Sequence, residues 1–470
     1  MKKSVSLAPA SLVLGALLLA GSGLHTPALA LNLQEALASA YQNNPELQAE
    51  RARLRGVDES VPQALSGWRP TVSLSGSAGY SNSKSNLRFP QEQQTHPRQT
   101  GMTVSQPLFN GFRTVNQTEA AENQVLAARE QLRVVEQRLF TAVTEAYLNV
   151  VRDKAEVELK ANNEQVLQRQ LAATRDRFRV GEITRTDVSQ AESRLAGATA
   201  SRIAAESQLS TSRATFERLV GLPPEQLLTP AEVTGLPPSL KETVALATTE
   251  QPTVLAAEYA ARAAVNSVDA ATGELLPTVA LQGTAFRNFD DSSQDSRSNG
   301  YQVVATVSVP LYEAGGTYSR IREAKHTAGQ RRLIVEQTRQ QSRESAIQAW
   351  EQLQASRAQI TSLEAQVRAA TVALEGVERE AQVGARTVLD VLDAEQELLD
   401  ARVGLVRAQR TERVAVYAVL AAVGRMNARD LSLPVELYDP VGHYDDVRGT
   451  WFGSSDAADQ DGDLARKAAQ

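Results

Sequence analysis

Apolar residues occupy every second position in four separate stretches of the chain, and polar residues fill the positions between them. In the first stretch Val72 and Leu74 alternate with serine and threonine, and in the last Tyr301, Val303 and Val307 share one face. A period of two is typical of a β-strand whose two faces meet different surroundings. Each stretch has about the ten residues that a tilted strand needs to cross a bilayer. We therefore predict strands at about 70–81, 100–109, 277–287 and 300–311.

After each pair of strands the period changes to alternating steps of three and four residues. Leu132, Val135 and Leu139 follow these steps in the first half of the chain, and 360–377 follows them in the second half. A narrow apolar stripe of this kind is typical of a coiled-coil seam. It predicts two long helices in each half, within 112–220 and 314–424.

The order of elements occurs twice along the chain. Gln-Pro-Leu-Phe at 106–109 returns as Val-Pro-Leu-Tyr at 309–312, and the Val-Gly pair that ends at Gly181 returns as the pair that ends at Gly384. Glycine readily ends a helix, so these two glycines mark the turns between the long helices. Two divergent copies of one unit therefore predict a first repeat over 31–224, a linker over 225–240 and a second repeat over 241–430.

The two ends of the chain differ from the repeats. Lys2 and Lys3, an apolar stretch and small residues at 28–30 form a secretory signal peptide. We expect 1–30 to be removed on export. Residues 431–470 are rich in aspartate, and we expect them to form an acidic, flexible tail.

Composition excludes several kinds of protein. The chain has no cysteine, so disulfides, iron–sulfur clusters and thiol catalysis are ruled out. A net charge of −6 argues against nucleic acid as a partner. A mean hydropathy of −0.30 argues against a bundle of membrane-spanning helices. Because nucleotide-binding, hydrolase and metal-protease motifs are all missing, we expect neither an enzyme nor a site for a cofactor or metal.

The strands suggest both a membrane environment and an oligomer. Aromatic residues are concentrated around the strands, which favours contact with membrane lipid. A soluble antiparallel sheet with one wet face would show the same alternation and stays open as an alternative. Four strands leave two open edges, which lipid does not tolerate. Two chains would supply eight strands and a filled interior, whereas three would supply 12 and leave a lumen, so a pore favours a homotrimer.

Three segments, in this order and spacing, carry a family resemblance: Pro-Leu-Phe-Asn-Gly at 107–111, Pro-Leu-Tyr-Glu-Ala-Gly at 310–315, and 383–394. Together with the repeated unit they closely resemble the TolC family, over about 31–430. The resemblance implies an outer-membrane channel-tunnel of a Gram-negative bacterium. Its fold would be a trimeric 12-stranded transmembrane β-barrel, four strands from each chain, continued into a periplasmic α-helical coiled-coil barrel. The absence of cysteine indicates the non-lipidated branch.

The resemblance also implies a function and partners. Such a protein is the exit duct of a tripartite type I secretion or efflux system. It opens when it docks to a periplasmic adaptor protein and to an inner-membrane ABC or proton-driven transporter. The alternative class is a periplasmic or outer-membrane coiled-coil protein, structural or adaptor-like, without a pore.

Acidic residues mark the second helical turn. Asp390 and Asp393 share one helix face, and three chains would bring their carboxylates around one axis. Such a ring would select cations, and mutual repulsion would raise some of its pKa values. Thr387 with Asp390, and Thr184 with Asp187, also have the spacing of a helix-capping box, so both roles stay open for Asp187. The resemblance implies that Asp390 and Asp393 constrict the closed tunnel.

Further closing contacts are implied by the same resemblance. Arg386 matches the family's gate arginine, and Thr186 and Asp187 match its partners. Ala381 departs from the family pattern, because a tyrosine is expected there. One closing link is therefore expected to be lost, and closure would depend more on Arg386.

Overall fold

The structure is a computed structural model that describes residues 31–85, 91–228, 230 and 235–454. The expected signal peptide and the last part of the expected tail, 455–470, lie outside these residues. The helices are α1 (Leu33–Asn43), α2 (Pro45–Asp58), α3 (Ser60–Leu65), α4 (Arg113–Arg179), α5 (Arg185–Val220), α6 (Leu240–Thr249), α7 (Pro252–Thr272), α8 (Gly316–Gln382), α9 (Val388–Ala422) and α10 (Gly442–Arg448). The strands are β1 (Thr71–Ala78), β2 (Ser81–Ser85), β3 (Gln91–Thr95), β4 (Arg98–Asn110), β5 (Thr278–Phe289) and β6 (Arg297–Ser308). In this described part, no helix is long and apolar enough to cross a membrane.

Four strands form one antiparallel sheet in the order β1-β4-β5-β6. Met102 of β4 lies opposite Ala285 of β5, so the two repeats meet in the middle of the sheet. The register of this pair shifts between Pro107 and Phe109, where proline lacks the N–H that a regular ladder uses. Strands β1 and β6 are the outer edges, and within the described residues neither has a neighbour on its outer side.

A small second hairpin follows β1. Its strands β2 and β3 are paired with Ser81 opposite Thr95. Strand β1 therefore ends at Ala78, short of the predicted limit at 81. The hairpin is polar on both faces, so no alternation of apolar and polar residues reveals it in the sequence.

The two longest helices, α4 and α8, have 67 residues each. At 1.5 Å per residue such a helix is on the order of 100 Å long. Leu132, Val135 and Leu139 of the coiled-coil stripe are all buried. The helix begins directly beyond β4, so it carries the chain away from the sheet to a distant turn.

The helices form one layer that is four helices wide at each level. Beside the sheet the order is α2 with α3, then α4, α7 and α8; further from the sheet it is α5, α4, α9 and α8. The order of the helices beside the sheet is the same as the order of the strands, because each of these helices leads directly into or out of one strand. The layer of helices therefore continues the sheet.

The main core lies where α1, α2, α4 and the end of α5 meet. Tyr147 is fully buried there, and its hydroxyl oxygen lies 2.9 Å from the Leu31 carbonyl and 2.5 Å from the Leu228 carbonyl. Burial raises the pKa of Tyr147 to about 12. Leu31, the first described residue, and Leu228 of the inter-repeat segment are thus attached to the middle of α4.

The expectation that a flexible tail begins at 431 is wrong for the residues up to 454. Leu433 is buried in the main core, and the Tyr438 N–H donates to the Tyr41 hydroxyl at 3.0 Å. Helix α10 then packs against α2 and α3. The apolar residues of this segment have no regular spacing, so only its aspartates stand out in the sequence.

Candidate functional site

The two return turns have the same backbone structure. The Gly181 N–H donates to the Phe178 carbonyl at 2.9 Å, and the Glu182 N–H donates to the Arg177 carbonyl at 3.0 Å. This pair of bonds is a Schellman motif, which ends a helix on a residue with positive φ. Gly181 has φ of 79° and Gly384 has φ of 78°. A Cβ at either glycine would meet no atom within 4 Å. Glycine is therefore needed at these positions for its positive φ and not because a side chain would clash.

The helix that leaves each turn begins with a capping box. The Asp187 carboxylate accepts from the Thr184 N–H at 2.8 Å and from its hydroxyl at 2.7 Å. The Asp390 carboxylate accepts from the Thr387 N–H at 2.9 Å and from its hydroxyl at 2.8 Å. Both aspartates therefore cap a helix, so the capping role that stayed open for Asp187 is present in the structure.

These hydrogen bonds favour the ionised form of both carboxyls. The Thr184 hydroxyl and N–H lower the pKa of Asp187, and the Thr387 N–H and hydroxyl lower the pKa of Asp390. Within a single chain the pKa of Asp390 therefore moves opposite to the rise expected in a ring of carboxylates. That expected rise depends on further copies of the chain.

Asp393 lies one turn further along α9 and does not cap the helix. Its carboxylate accepts from the Arg194 guanidinium of α5. The ion pair joins the returning helices of the two repeats, and both side chains remain partly exposed. The first turns of α9 thus carry one carboxylate held by its own backbone and another held by the other repeat.

Arg386 lies on the second turn but is not bonded to the residues that the resemblance assigns to it. Its Nε donates to Glu380 Oε2 at 2.9 Å, across the same turn. Among the described residues Arg386 has no hydrogen bond to Thr186 or Asp187. Thr186 is exposed, and Asp187 faces Thr184. One chain alone therefore does not bring the expected closing contact together.

The first turn also carries an ion pair, which the sequence patterns described above do not predict. Arg177, at the end of α4, donates to Glu182 on the turn at 2.6 Å. In the second turn the charges are exchanged: the acid, Glu380, is on the helix and the arginine, Arg386, is on the turn. Arg177 and Glu380 occupy equivalent places in the two repeats, with opposite charge. That inversion is visible in the sequence once the repeats are aligned.

Apolar packing holds the two turns side by side. Leu167 and Leu171 of α4, Ala191 of α5, and Val388 and Leu392 of α9 form one buried cluster. The cluster fixes the start of α9, and hence Asp390 and Asp393, against the first repeat. Ala381 lies beside the second turn, and its carbonyl accepts from the Gly384 N–H at 3.2 Å. Its methyl group cannot make the hydrogen bond of a tyrosine.

The described residues contain no group of histidine, aspartate and glutamate side chains that could hold a metal ion. The turns therefore offer charge and hydrogen bonds to ions and to other protein surfaces.

Comparison with known proteins identifies the family. The profile of the outer membrane efflux protein family matches residues 36–222 and 244–425, one match for each repeat. The chain is 37% identical to the outer membrane efflux protein BepC of Brucella suis over 455 residues, which cover 96% of this chain and 98% of BepC. It is 27% identical to the outer membrane protein TolC of Vibrio cholerae, over 85% of this chain and 92% of that one.

The fold is also shared with a solved channel. The crystal structure of the Campylobacter jejuni CmeC outer membrane channel matches with a TM-score of 0.77 at 14% identity, over 89% of both chains. At this identity the structural match shows the fold alone. The family profile and the similar sequences show the family. The chain belongs to the outer membrane efflux protein family, the TolC family that the sequence resembles, and is an outer-membrane protein of the channel-tunnel type.

Proposed function

We propose that three copies of this chain close into one channel-tunnel, the exit duct of a tripartite efflux or type I secretion system. The observation that carries this proposal is the layer that is four elements wide at every level, with open edges at β1 and β6. Each edge exposes backbone N–H and C=O groups that lipid cannot satisfy. A second and third copy can pair with them.

The exposed strand residues support insertion of the sheet in the outer membrane. Leu74 of β1 is 82% exposed and Tyr301 of β6 is 88% exposed. Large apolar side chains at this level of exposure match the outer face of a membrane barrel. Three copies would give a barrel wide enough for a lumen, whereas two would give one filled by side chains.

The distant turns are where the duct would meet its partners. The long helices place them on the order of 100 Å from the sheet, far from the outer membrane and deep in the periplasm. We assign to this end the docking of a periplasmic adaptor and, through it, an inner-membrane ABC or proton-driven transporter. Relatives named as efflux and as protease secretion proteins support both kinds of system.

The same end would hold the gate. Asp390 and Asp393 of each chain would form the acidic ring, and Arg386 would bond to Thr186 and Asp187 of the next copy. Glu380 competes for Arg386 within its own chain at 2.9 Å. Opening would therefore exchange a contact between copies for a contact inside one turn.

Reconstitution in planar bilayers tests the proposed function. The protein extracted from outer membranes should migrate as a trimer and form discrete, cation-selective conductance steps. A stable monomer that partitions with the periplasmic fraction and forms no conductance would instead support the coiled-coil alternative without a pore.

Two substitutions on one ion pair test the gate. Arg386→Ser should raise the conductance of the closed channel, because it removes the contact between copies. Glu380→Gln should lower it, because it frees Arg386 for that contact. Equal closed-state conductance in both variants and in the original protein would contradict this role of Arg386.

A further inference from the structure

The segment that follows the main core runs along one stripe of α4. The Ala428 N–H donates to the Glu136 carboxylate at 2.6 Å, Arg129 stacks over the Tyr444 ring at 5.1 Å, and Arg448 donates to Glu122 at 2.9 Å. Glu122, Arg129 and Glu136 are spaced by sevens, so they lie on one side of the helix. The C-terminal segment (residues 434–454) therefore runs along α4 toward the sheet.

This side of α4 faces outward from the layer. On its opposite side Gln124, Ala128 and Gln131 line a hollow that is also lined by α2, α7 and α8. A hollow bounded by four neighbouring helices of one layer lies on the concave side of that layer. The C-terminal segment consequently lies on the convex side, which would be the outside of a closed tunnel.

Helix α10 is fixed to this outer wall by a buried ionisable pair. His443 Nδ1 lies 3.2 Å from Asp58 Oδ2, and Asp58 is only 1% exposed. Since a buried carboxylate is costly without a partner, this contact ties α10 to α2. The segment beyond α10 therefore has a defined starting point on the outer surface.

The segment ends at the level where the strands begin. Arg69 donates to the Thr450 carbonyl at 2.7 Å, and its guanidinium lies 5.0 Å from the centre of the Trp451 ring. Arg69 precedes the first residue of β1, Thr71, by only two positions. Trp451 is thus held at the boundary between the helical wall and the membrane-spanning sheet.

No residue in the described part of the chain covers Trp451 and Phe452. Among the described residues they are 57% and 89% exposed. Aromatic side chains favour the zone between lipid headgroups and acyl chains. Val72 and Leu74, which the proposed insertion of the sheet places against lipid, are exposed and follow Arg69 closely in β1, so the aromatic pair lies at the end of that surface.

We propose that Trp451 and Phe452 insert into the headgroup zone of the periplasmic leaflet of the outer membrane. The C-terminal segment is then an external strap that fixes how deeply the sheet lies in the bilayer. Arg69, which contacts the Thr450 carbonyl and the Trp451 ring, is a positioning residue in this arrangement. The inference rests on the proposed insertion of the sheet, and the experiment measures the two separately.

Fluorescence quenching by lipids brominated on the acyl chain tests the strap in the full-length protein. The chain has three tryptophans, Trp68, Trp350 and Trp451. Trp68→Phe with Trp350→Phe leaves Trp451 as the only reporter. In vesicles of phosphatidylcholine, shallow bromines should reduce its emission more than deep bromines do.

Two matched variants interpret the result. Trp68→Phe with Trp451→Phe leaves Trp350 on α8, far from the sheet, whose emission should not change with brominated lipid. Replacing all three tryptophans with phenylalanine and adding Leu74→Trp places a reporter on β1, which should be quenched more by deep bromines. Quenching at Leu74→Trp without quenching of Trp451 would contradict the proposed strap but not the proposed channel. No quenching at either position would count against insertion of the sheet, and therefore against both proposals.

Discussion

At the scale of single residues, the second turn places two aspartates of one helix in different electrostatic settings. Asp390 is bonded to Thr387, three positions away, and this short spacing is why a capping box can be predicted from sequence. Asp393 is bonded to Arg194, 199 positions away in another helix, and no local pattern indicates that contact. The sequence therefore indicated that Asp393 does not cap the helix but could not show its partner.

The acidic ring makes a prediction about ion selectivity. Asp390→Asn combined with Asp393→Asn should weaken cation selectivity, since neutral amides do not attract cations as carboxylates do. The reversal potential across a planar bilayer under a salt gradient measures this change. Asp187→Asn is the comparison variant: it removes an equivalent capping carboxylate and a proposed gate contact but leaves the acidic ring, so the channel should stay cation-selective. An unaltered reversal potential in the double variant would refute the ring.

The capping boxes make a prediction about pH. The pKa of Asp187 and of Asp390 is lower in the fold than in the unfolded chain. Such a carboxylate stabilises the fold above its unfolded pKa, and this stabilisation is lost as the pH falls through its folded pKa. Below about pH 4 the turns should therefore loosen.

Hydrogen exchange can detect this loosening. The Thr184 and Thr387 amides should lose protection at low pH, after correction for the intrinsic exchange rate. In Asp187→Asn with Asp390→Asn the protection should be independent of pH over the same range. A protection that is constant with pH in the original protein would contradict the assigned caps.

At the scale of elements, periodicity was informative where a face was apolar and uninformative elsewhere. The predicted strands and long helices correspond to β1, β4, β5, β6 and the α4–α5 and α8–α9 pairs, because each buries or exposes a regular apolar stripe. Hairpin β2–β3 and helix α10 have no such stripe. They depend on backbone pairing and on contacts such as His443 with Asp58, which are distant in sequence.

An ion pair between a buried glutamate and an exposed arginine joins the two repeats and can be tested directly. Arg407 of α9 donates to the two Glu156 oxygens of α4 at 2.7 and 3.0 Å. Burial raises the pKa of Glu156, but Arg407, Lys160 and Arg152 together outweigh that effect, and the pKa lies below its usual value. Arg407→Met should cost about 1–3 kcal/mol of stability at neutral pH, because it removes two hydrogen bonds from a buried carboxylate whose other arginine, Arg152, lies 4.0 Å away.

Thermal unfolding followed by circular dichroism measures this cost. Glu156→Gln added to Arg407→Met should recover part of the loss, because the buried charge is then gone. An Arg407→Met protein as stable as the original would show that the pair does not hold α4 and α9 together.

At the scale of the whole molecule, one chain forms only part of a closed barrel. Strands β1-β4-β5-β6 and the helices beneath them follow the same order, so every level of the chain ends at an open edge. Edge strands in lipid need partners, and a lumen needs more than two copies. The central claim is therefore that β1 of one copy pairs with β6 of the next until three copies close.

Cysteine cross-linking tests this claim most directly, since the chain has no cysteine of its own. Ser75→Cys on β1 would be combined in turn with Gln302→Cys, Val304→Cys and Thr306→Cys on β6. Within one chain these edges are three strand spacings apart, roughly 14 Å along a flat sheet, and a disulfide spans at most about 7 Å between Cα atoms. Oxidation of the membrane-embedded protein should therefore link neighbouring copies and yield a covalent species of three chains on denaturing gels. Failure of every pair to cross-link, or a covalent species that stops at two chains or continues beyond three, would contradict closure as a trimer.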